Sequence, residues 1–250
     1  MPHDGPADAV AGLPRASGIV VFLVLLIAAS LVFGLWPQLD LAVSSFARDL
    51  NGGAFQLKGG TWNWLYRGTR PFFLGLSALI AVVGIASLLL RRPLWWMTVR
   101  KAIFLLVSFG LTQGIVVDLY LKNVFGRARP REIAEFGGDS NFTPFYMVTD
   151  QCERNCSFVS GHAAMVFALL AFAFVVPPRW RRPTFWIALA AGLVAGWARI
   201  VQGAHFASDI IFAGLVTYGV TWLVALLVLE GWLDRFWQST MRRRAGKAAG

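Results

Sequence analysis

The chain has 250 residues, of which 57% are hydrophobic and only 14% charged, and its mean hydropathy is +0.60. A soluble domain carries about 25% charged residues, so too little charge is present to cover a water-facing surface, and lipid is the expected solvent. Disorder, a disulfide-stapled mini-protein and a nucleic-acid module fit poorly. The net charge of +10 points to basic loops facing an anionic lipid surface. Two cysteines are too few for a disulfide framework or a cysteine-rich metal site.

In chain order, residues 1–17 read as a flexible Pro/Gly/Ala-rich tail in which His3 has no assigned role. Six apolar segments approach the roughly 20 residues that a membrane-crossing helix needs: 18–36, 72–90, 102–121, 158–176, 184–198 and 210–233. Backbone in lipid must satisfy its own hydrogen bonds, so these runs are expected to be helices. The first is preceded by the single Arg15, exceeds a signal-peptide core and has no small-x-small site after it, and it reads as a retained span. The fifth is short but continues into Ile200 and Val201. The expected fold is therefore all-α: a polytopic membrane protein with six transmembrane helices in a bundle over 18–233, followed by a basic tail, 234–250.

The connections fall into two sets. One set, with the termini, holds Arg15, Arg91, Arg92, Arg100, Lys101, Arg179, Arg181, Arg182, Arg235, Arg242, Arg243, Arg244 and Lys247, against only Asp4, Asp8, Glu230 and Asp234. Positive charge stays in the cytoplasm, so both termini are expected there. Connections 37–71, 122–157 and 199–209 then face outward.

Polar residues collect at the outward ends. Lys122 and Arg129 follow the third span, Ser160, Gly161 and His162 open the fourth, Arg199 ends the fifth, and His205 and Asp209 lead into the sixth. Alternating span direction places all four ends on one face. Singly, each has a plain explanation: snorkelling cations, a capping serine, a hydrogen-bonded His205–Asp209 pair. Together they crowd cations onto the face that should be poor in them, which marks a functional site. Arg127 and Arg131, beside Arg129, read as surface charges.

In order and spacing these residues resemble the type-2 phosphatidic acid phosphatase superfamily of integral lipid phosphatases, whose motifs are K-x6-R-P, P-S-G-H and S-R-x5-H-x3-D. Lys122 to Arg129-Pro130 matches the first in full. Ser160-Gly161-His162 matches the second, with Val159 in place of proline. Arg199, His205 and Asp209 match the third, with Ala198 in place of serine. The resemblance covers 122–209 and the six-span layout, and the first 100 residues carry no diagnostic motif. Within the superfamily, Phe136-Gly137-Gly138, Phe142-Thr143-Pro144 and the stretch 155–161 look most like bacterial lipid A phosphatases, a resemblance that implies a bacterial inner-membrane protein whose outward face is the periplasmic one.

The chemistry is consistent with that resemblance. Phosphoryl transfer spreads negative charge over three equatorial oxygens, so positioning and fixed positive charge matter most. Arg129 and Arg199 can offer bidentate forks and Lys122 a point charge. Ser160 and the Gly161 amide at a helix start suit a phosphate oxygen. His205 is the expected nucleophile, with Asp209 accepting the proton of one ring nitrogen and leaving the other free. His162 is the expected general acid. An ordinary histidine titrates near pH 6.5, so one neutral and one protonated ring can coexist near neutrality.

No cofactor is expected. His162, His205 and Asp209 form a small N/O ligand set, but the surrounding cations oppose a divalent ion. The expected partners are the bilayer and an anionic phospholipid or glycolipid; undecaprenyl diphosphate and phosphatidylglycerol phosphate are alternative substrates to lipid A. A non-catalytic lipid-phosphate binder or transporter is the alternative of a different class. Cys152 and Cys156 are equally compatible with a disulfide and with buried thiols. The aromatics of 132–150 are expected either to touch substrate or to form an interfacial belt.

Overall fold

The computed structural model describes residues 15–56 and 61–231. No strand occurs among them; the chain is built of helices. The predicted tails lie largely outside the described residues, but positions 15–17 belong to the first helix, α1, Arg15–Leu35. Val20, Val21, Val24, Leu25 and Ile27 of α1 are exposed, as side chains in contact with lipid rather than water would be.

Connection 37–71 is not a simple loop. Pro37 opens α2, Gln38–Asp49, whose buried residues Asp40, Ser44 and Ala47 fall on one stripe, the i, i+4, i+7 spacing of an amphipathic helix. Beyond it, α3 spans Thr61–Leu89 and contains Pro71. The apolar run expected to form this span begins only at 72, just after the proline, which lacks an N–H and clashes with the preceding turn. In a membrane bundle, neighbouring groups can re-satisfy the freed carbonyl, and the helix here runs a further ten residues outward. That extension carries Tyr66.

The third span, Val99–Val124, is α4. Thr98 caps it by accepting the Lys101 N–H at 3.3 Å, and from Leu111 to Leu121 it widens into a π-helix. In that wider coil Gln113 Nε2 reaches Asp118 Oδ2, five residues on, at 3.0 Å. The fourth element, α5, is Gly161–Val175. It starts three residues later than expected, where Ser160 Oγ accepts the Ala163 N–H at 3.4 Å. At about 1.5 Å per residue it is about 22 Å long.

The fifth helix, α6, spans Pro178–Val201, ending at Val201 as expected but starting six residues earlier than the apolar run. Proline is favoured in the first helical turn, so the basic stretch 179–182 is the helix start rather than a loop. The last helix, α7, spans Ala207–Leu229; the expected continuation to 233 runs past the described residues. Five helices (α1, α3, α4, α6 and α7) are long and apolar enough to cross a membrane, and α5 is a shorter apolar helix packed against α6 and α7. Gly192 makes that contact close: a Cβ there would lie 2.1 Å from the Phe167 ring of α5. Small residues allow such approach where helices cross in lipid.

Candidate active site

The loop between α6 and α7 turns tightly at Gly203, whose φ is +59°, and places His205 at one end of the bundle, only 2% exposed. Its Nδ1 lies 2.7 Å from the Ser157 carbonyl oxygen. A carbonyl only accepts, so Nδ1 carries the hydrogen, and Nε2 of the neutral ring keeps its lone pair. Asp209 Oδ2 is farther from Nδ1, at 3.6 Å. Orientation of the ring therefore comes from a backbone carbonyl, with Asp209 behind it, rather than from Asp209 alone as the i+4 spacing suggested. Burial pushes His205 down to about 3, against the opposing pull of Asp209.

Asp209 is fully occupied. Oδ2 accepts the Ser157 hydroxyl at 2.5 Å and the Phe206 N–H at 2.8 Å, which makes Asp209 the cap of α7 as well. Oδ1 accepts Arg127 Nη1 at 2.7 Å. Arg127 is not a surface charge: its side chain is 0% exposed. The same Nη1 reaches Ser208 Oγ at 2.9 Å, Nε donates to the Thr143 carbonyl at 2.8 Å, and Nη2 meets Asp40 Oδ2 at 2.8 Å. The guanidinium lies over the Phe206 ring, 4.2 Å from its centroid. Asp40 in turn accepts the Ser208 N–H at 2.8 Å and the Ser208 hydroxyl at 2.6 Å. Burial raises Asp40 above the usual carboxylate range, and Arg127 opposes that shift. Arg131, by contrast, is half-buried and lies 3.7 Å from Glu132.

The three other cations form a more open group. Lys122 Nζ donates to Asn155 Oδ1 at 2.7 Å and lies 3.8 Å from Asp118. It crosses the start of α5 so closely that a Cβ on Gly161 would be 3.0 Å from Nζ. Arg129 Nη2 donates to the Asn155 carbonyl at 2.6 Å; burial lowers Arg129 from its ordinary value. Arg199 Nη1 donates to Gln202 Oε1, while its Nε is buried without a hydrogen-bond partner among the described residues. His162 is half-buried at the start of α5, and it shares a neighbour with Arg199, whose guanidinium lies 4.5 Å from the Tyr66 ring centroid. The His162 ring packs on Tyr66, with centroids 4.4 Å apart.

Backbone bonds hold the motif segments together. The Cys156 N–H donates to the Lys122 carbonyl at 3.2 Å, that of Ser157 to Arg127 at 2.9 Å, and that of Ser160 to Asp209 at 3.2 Å. Cys152 and Cys156 form a disulfide, and the loop it closes contains Asn155, the shared partner of Lys122 and Arg129. The aromatics of 132–150 mainly pack inward: Phe145 stacks on Phe212 at 4.3 Å, and Phe142 meets Phe206 at 5.4 Å. Tyr146 is the exposed aromatic, followed by exposed Met147 and Val148. Among the described residues no three His, Cys, Asp or Glu side chains are grouped to hold a metal ion.

The structure thus brings together every residue expected at the site: Lys122, Arg129, Ser160, Gly161, His162, Arg199, His205 and Asp209. Sequence reasoning missed Asp40, Ser157, Asn155 and Tyr66, and misplaced Arg127. One signal was available for Arg127. Alternate residues of the extended stretch 127–129 point opposite ways, so Arg127 and Arg129 should not share one environment.

An all-helical, multi-pass membrane protein with two imidazoles and three cations at one end of its bundle is the class that fold and site define. Residues 101–232 match the PAP2 superfamily. A lipid A 4'-phosphatase of Francisella tularensis subsp. novicida (strain U112) is 34% identical over 215 residues, 84% of this chain and 95% of that relative. A lipid A 4'-phosphatase of Rhizobium leguminosarum is 31% identical over 119 residues, 48% of each chain. A lipid A 1-phosphatase of Rhizobium etli is 38% identical over 115 residues, 46% of this chain and 45% of the relative. No solved structure matches the chain. The chain belongs to the PAP2 superfamily and is a phosphatase acting on lipids.

Proposed function

We propose that this protein hydrolyses a phosphomonoester of lipid A through a phosphohistidine intermediate. The observation that carries the mechanism is the hydrogen bond from His205 Nδ1 to the Ser157 carbonyl, which leaves the lone pair of Nε2 for phosphorus. Nε2 attacks as the bond to the lipid oxygen breaks, and His162 gives its proton to that departing oxygen. His162, now neutral, takes a proton from water, whose oxygen displaces His205 from phosphorus and releases inorganic phosphate. Lys122, Arg129 and Arg199 neutralise the equatorial oxygens. Ser160, which uses its oxygen to accept the Ala163 N–H, keeps its own hydroxyl hydrogen for phosphate, and the Gly161 amide at the start of α5 adds a second donor.

Support for lipid A as substrate is the relative with near full-length coverage, named a lipid A 4'-phosphatase, and on that ground the 4'-phosphate is the favoured position. Mass spectrometry of lipid A from cells with and without the protein tests this. Loss of one phosphate from the 4' end is expected; an unchanged lipid A with a changed undecaprenyl diphosphate or phosphatidylglycerol phosphate pool moves the substrate to those lipids. Trapping an acid-labile phosphoenzyme that His205→Gln cannot form tests the intermediate. A non-catalytic binder would release no phosphate at all. Turnover is expected to survive exhaustive chelation.

The site is proposed to face the periplasm of the inner membrane. Arg91, Arg92, Arg100, Lys101, Arg179, Arg181 and Arg182 all lie at the helix ends opposite the site, and a cation-rich end is held in the cytoplasm. Labelling of a single cysteine placed at exposed Val148, by a reagent that cannot cross the inner membrane, checks this.

A further inference from the structure

Tyr66 lies in the outward extension of α3, a region that carries none of the three motifs. Its ring nonetheless meets two of the site's side chains. The His162 ring lies 4.4 Å from it, centroid to centroid, at an interplanar angle of 30°. The Arg199 guanidinium carbon lies 4.5 Å from the same centroid. Tyr66 is 40% exposed, so it is not a core residue that merely happens to touch the site. A ring serving only as an interfacial anchor would present its face to lipid; this one presents its face to a histidine and an arginine.

We infer that Tyr66 is a positioning residue: its ring holds the imidazole of His162 in line with the departing oxygen and keeps the Arg199 fork aimed at the phosphate. The electron-rich face of a tyrosine suits both roles. It stacks with a tilted heteroaromatic ring and attracts a guanidinium. Arg199 has little else to fix it, since its other side-chain hydrogen-bond partner among the described residues is Gln202 and its Nε is unpaired among them. Small displacements are enough to matter, because general acid catalysis needs the donor within hydrogen-bond reach of the oxygen it protonates. The inference rests on the reading of His162 as that acid.

Leaving-group dependence tests it. An alkyl phosphate needs its departing oxygen protonated; a nitrophenyl phosphate departs as a stable anion and does not. The purified full-length protein would be assayed in one detergent on dodecyl phosphate and on 4-dodecyl-2-nitrophenyl phosphate. Tyr66→Leu is expected to lower kcat/KM, which reports the phosphorylation step and not the shared hydrolysis of the intermediate, about tenfold or more further on the alkyl ester than on the aryl ester, a fraction of the roughly 10²–10⁴ that a general acid contributes. KM should rise on both esters, since Arg199 serves the phosphate they share. Tyr66→Phe, which keeps the ring, should restore both. Equal kcat/KM losses on the two esters, or none, overturn the role of Tyr66. His162→Gln separates the two readings: selective loss there without selective loss in Tyr66→Leu removes Tyr66 alone, whereas no selectivity in His162→Gln removes the acid assignment and this inference together.

Discussion

Arg127 and Arg129 stand two residues apart in one motif and have opposite environments. Arg127 is sealed, with each of its nitrogens committed: Nη1 and Nη2 to the carboxylates of Asp209 and Asp40, and Nε to the Thr143 carbonyl. Arg129, Lys122 and Arg199 lie above it with donors to spare, and two of them rest on the oxygens of a single residue, Asn155. A buried ion pair is costly unless every lone pair and proton is matched, so the closed network is architecture that holds Asp209, and through Ser157 the His205 ring. Open valences define where an anion can bind. The comparison teaches that positive charge alone does not locate the site; unspent hydrogen-bonding capacity does.

The comparison can be broken in several places. The largest effect is expected at the ring that the closed network supports. His205→Ala should lose essentially all phosphate release, by roughly 10³-fold or more, while still co-sedimenting with anionic lipid; comparable turnover in the two proteins would remove His205 from the mechanism. Next comes Arg127→Met, which strands two buried carboxylates and should cost about 3–5 kcal/mol of stability, read as a lowered midpoint of thermal unfolding in detergent. Arg199→Gln should instead leave that midpoint nearly unmoved and reduce kcat/KM by about 10²-fold. If both substitutions behaved alike, the distinction between closed and open cations would fail.

Acid should expose His205. Its folded-state value, about 3, lies below the ordinary value of about 6.5, so the unfolded chain binds the proton first. The stability that depends on a neutral ring is complete above pH 6.5. It erodes as pH falls from there towards 3, by on the order of 1.4 kcal/mol per pH unit. Melting curves at pH 7 and pH 5 should diverge more for the wild type than for His205→Gln, and parallel shifts would contradict the burial argument. The smallest effect is expected at the disulfide. Cys152→Ser with Cys156→Ser frees the loop that carries Asn155, which should raise KM by about threefold through lost preorganisation while kcat stays within about twofold.

Much of the site's end of the bundle was legible in the sequence because its signals are local. Apolar runs of helix length show where lipid must be, and ionisable residues at the ends of those runs stand out. Asp40 was not legible. It sits in a short amphipathic helix whose mean character is neither apolar nor basic, and nothing nearby in sequence announces a partner 87 residues away. Tyr66 was hidden by Pro71, which resembles a helix boundary until neighbouring helices support the continuation. The aromatics of 132–150 misled differently: a run of phenylalanines signals burial or lipid contact without saying which.

Chain order and polarity alone dictate a membrane bundle with its reactive side chains at one end, because hydropathy and alternating span direction act through consecutive residues. Which nitrogen of His205 is free, which arginine is committed and which tyrosine faces the site depend on distances between residues far apart in the chain. Such distances are set when helices pack and every buried donor must find an acceptor.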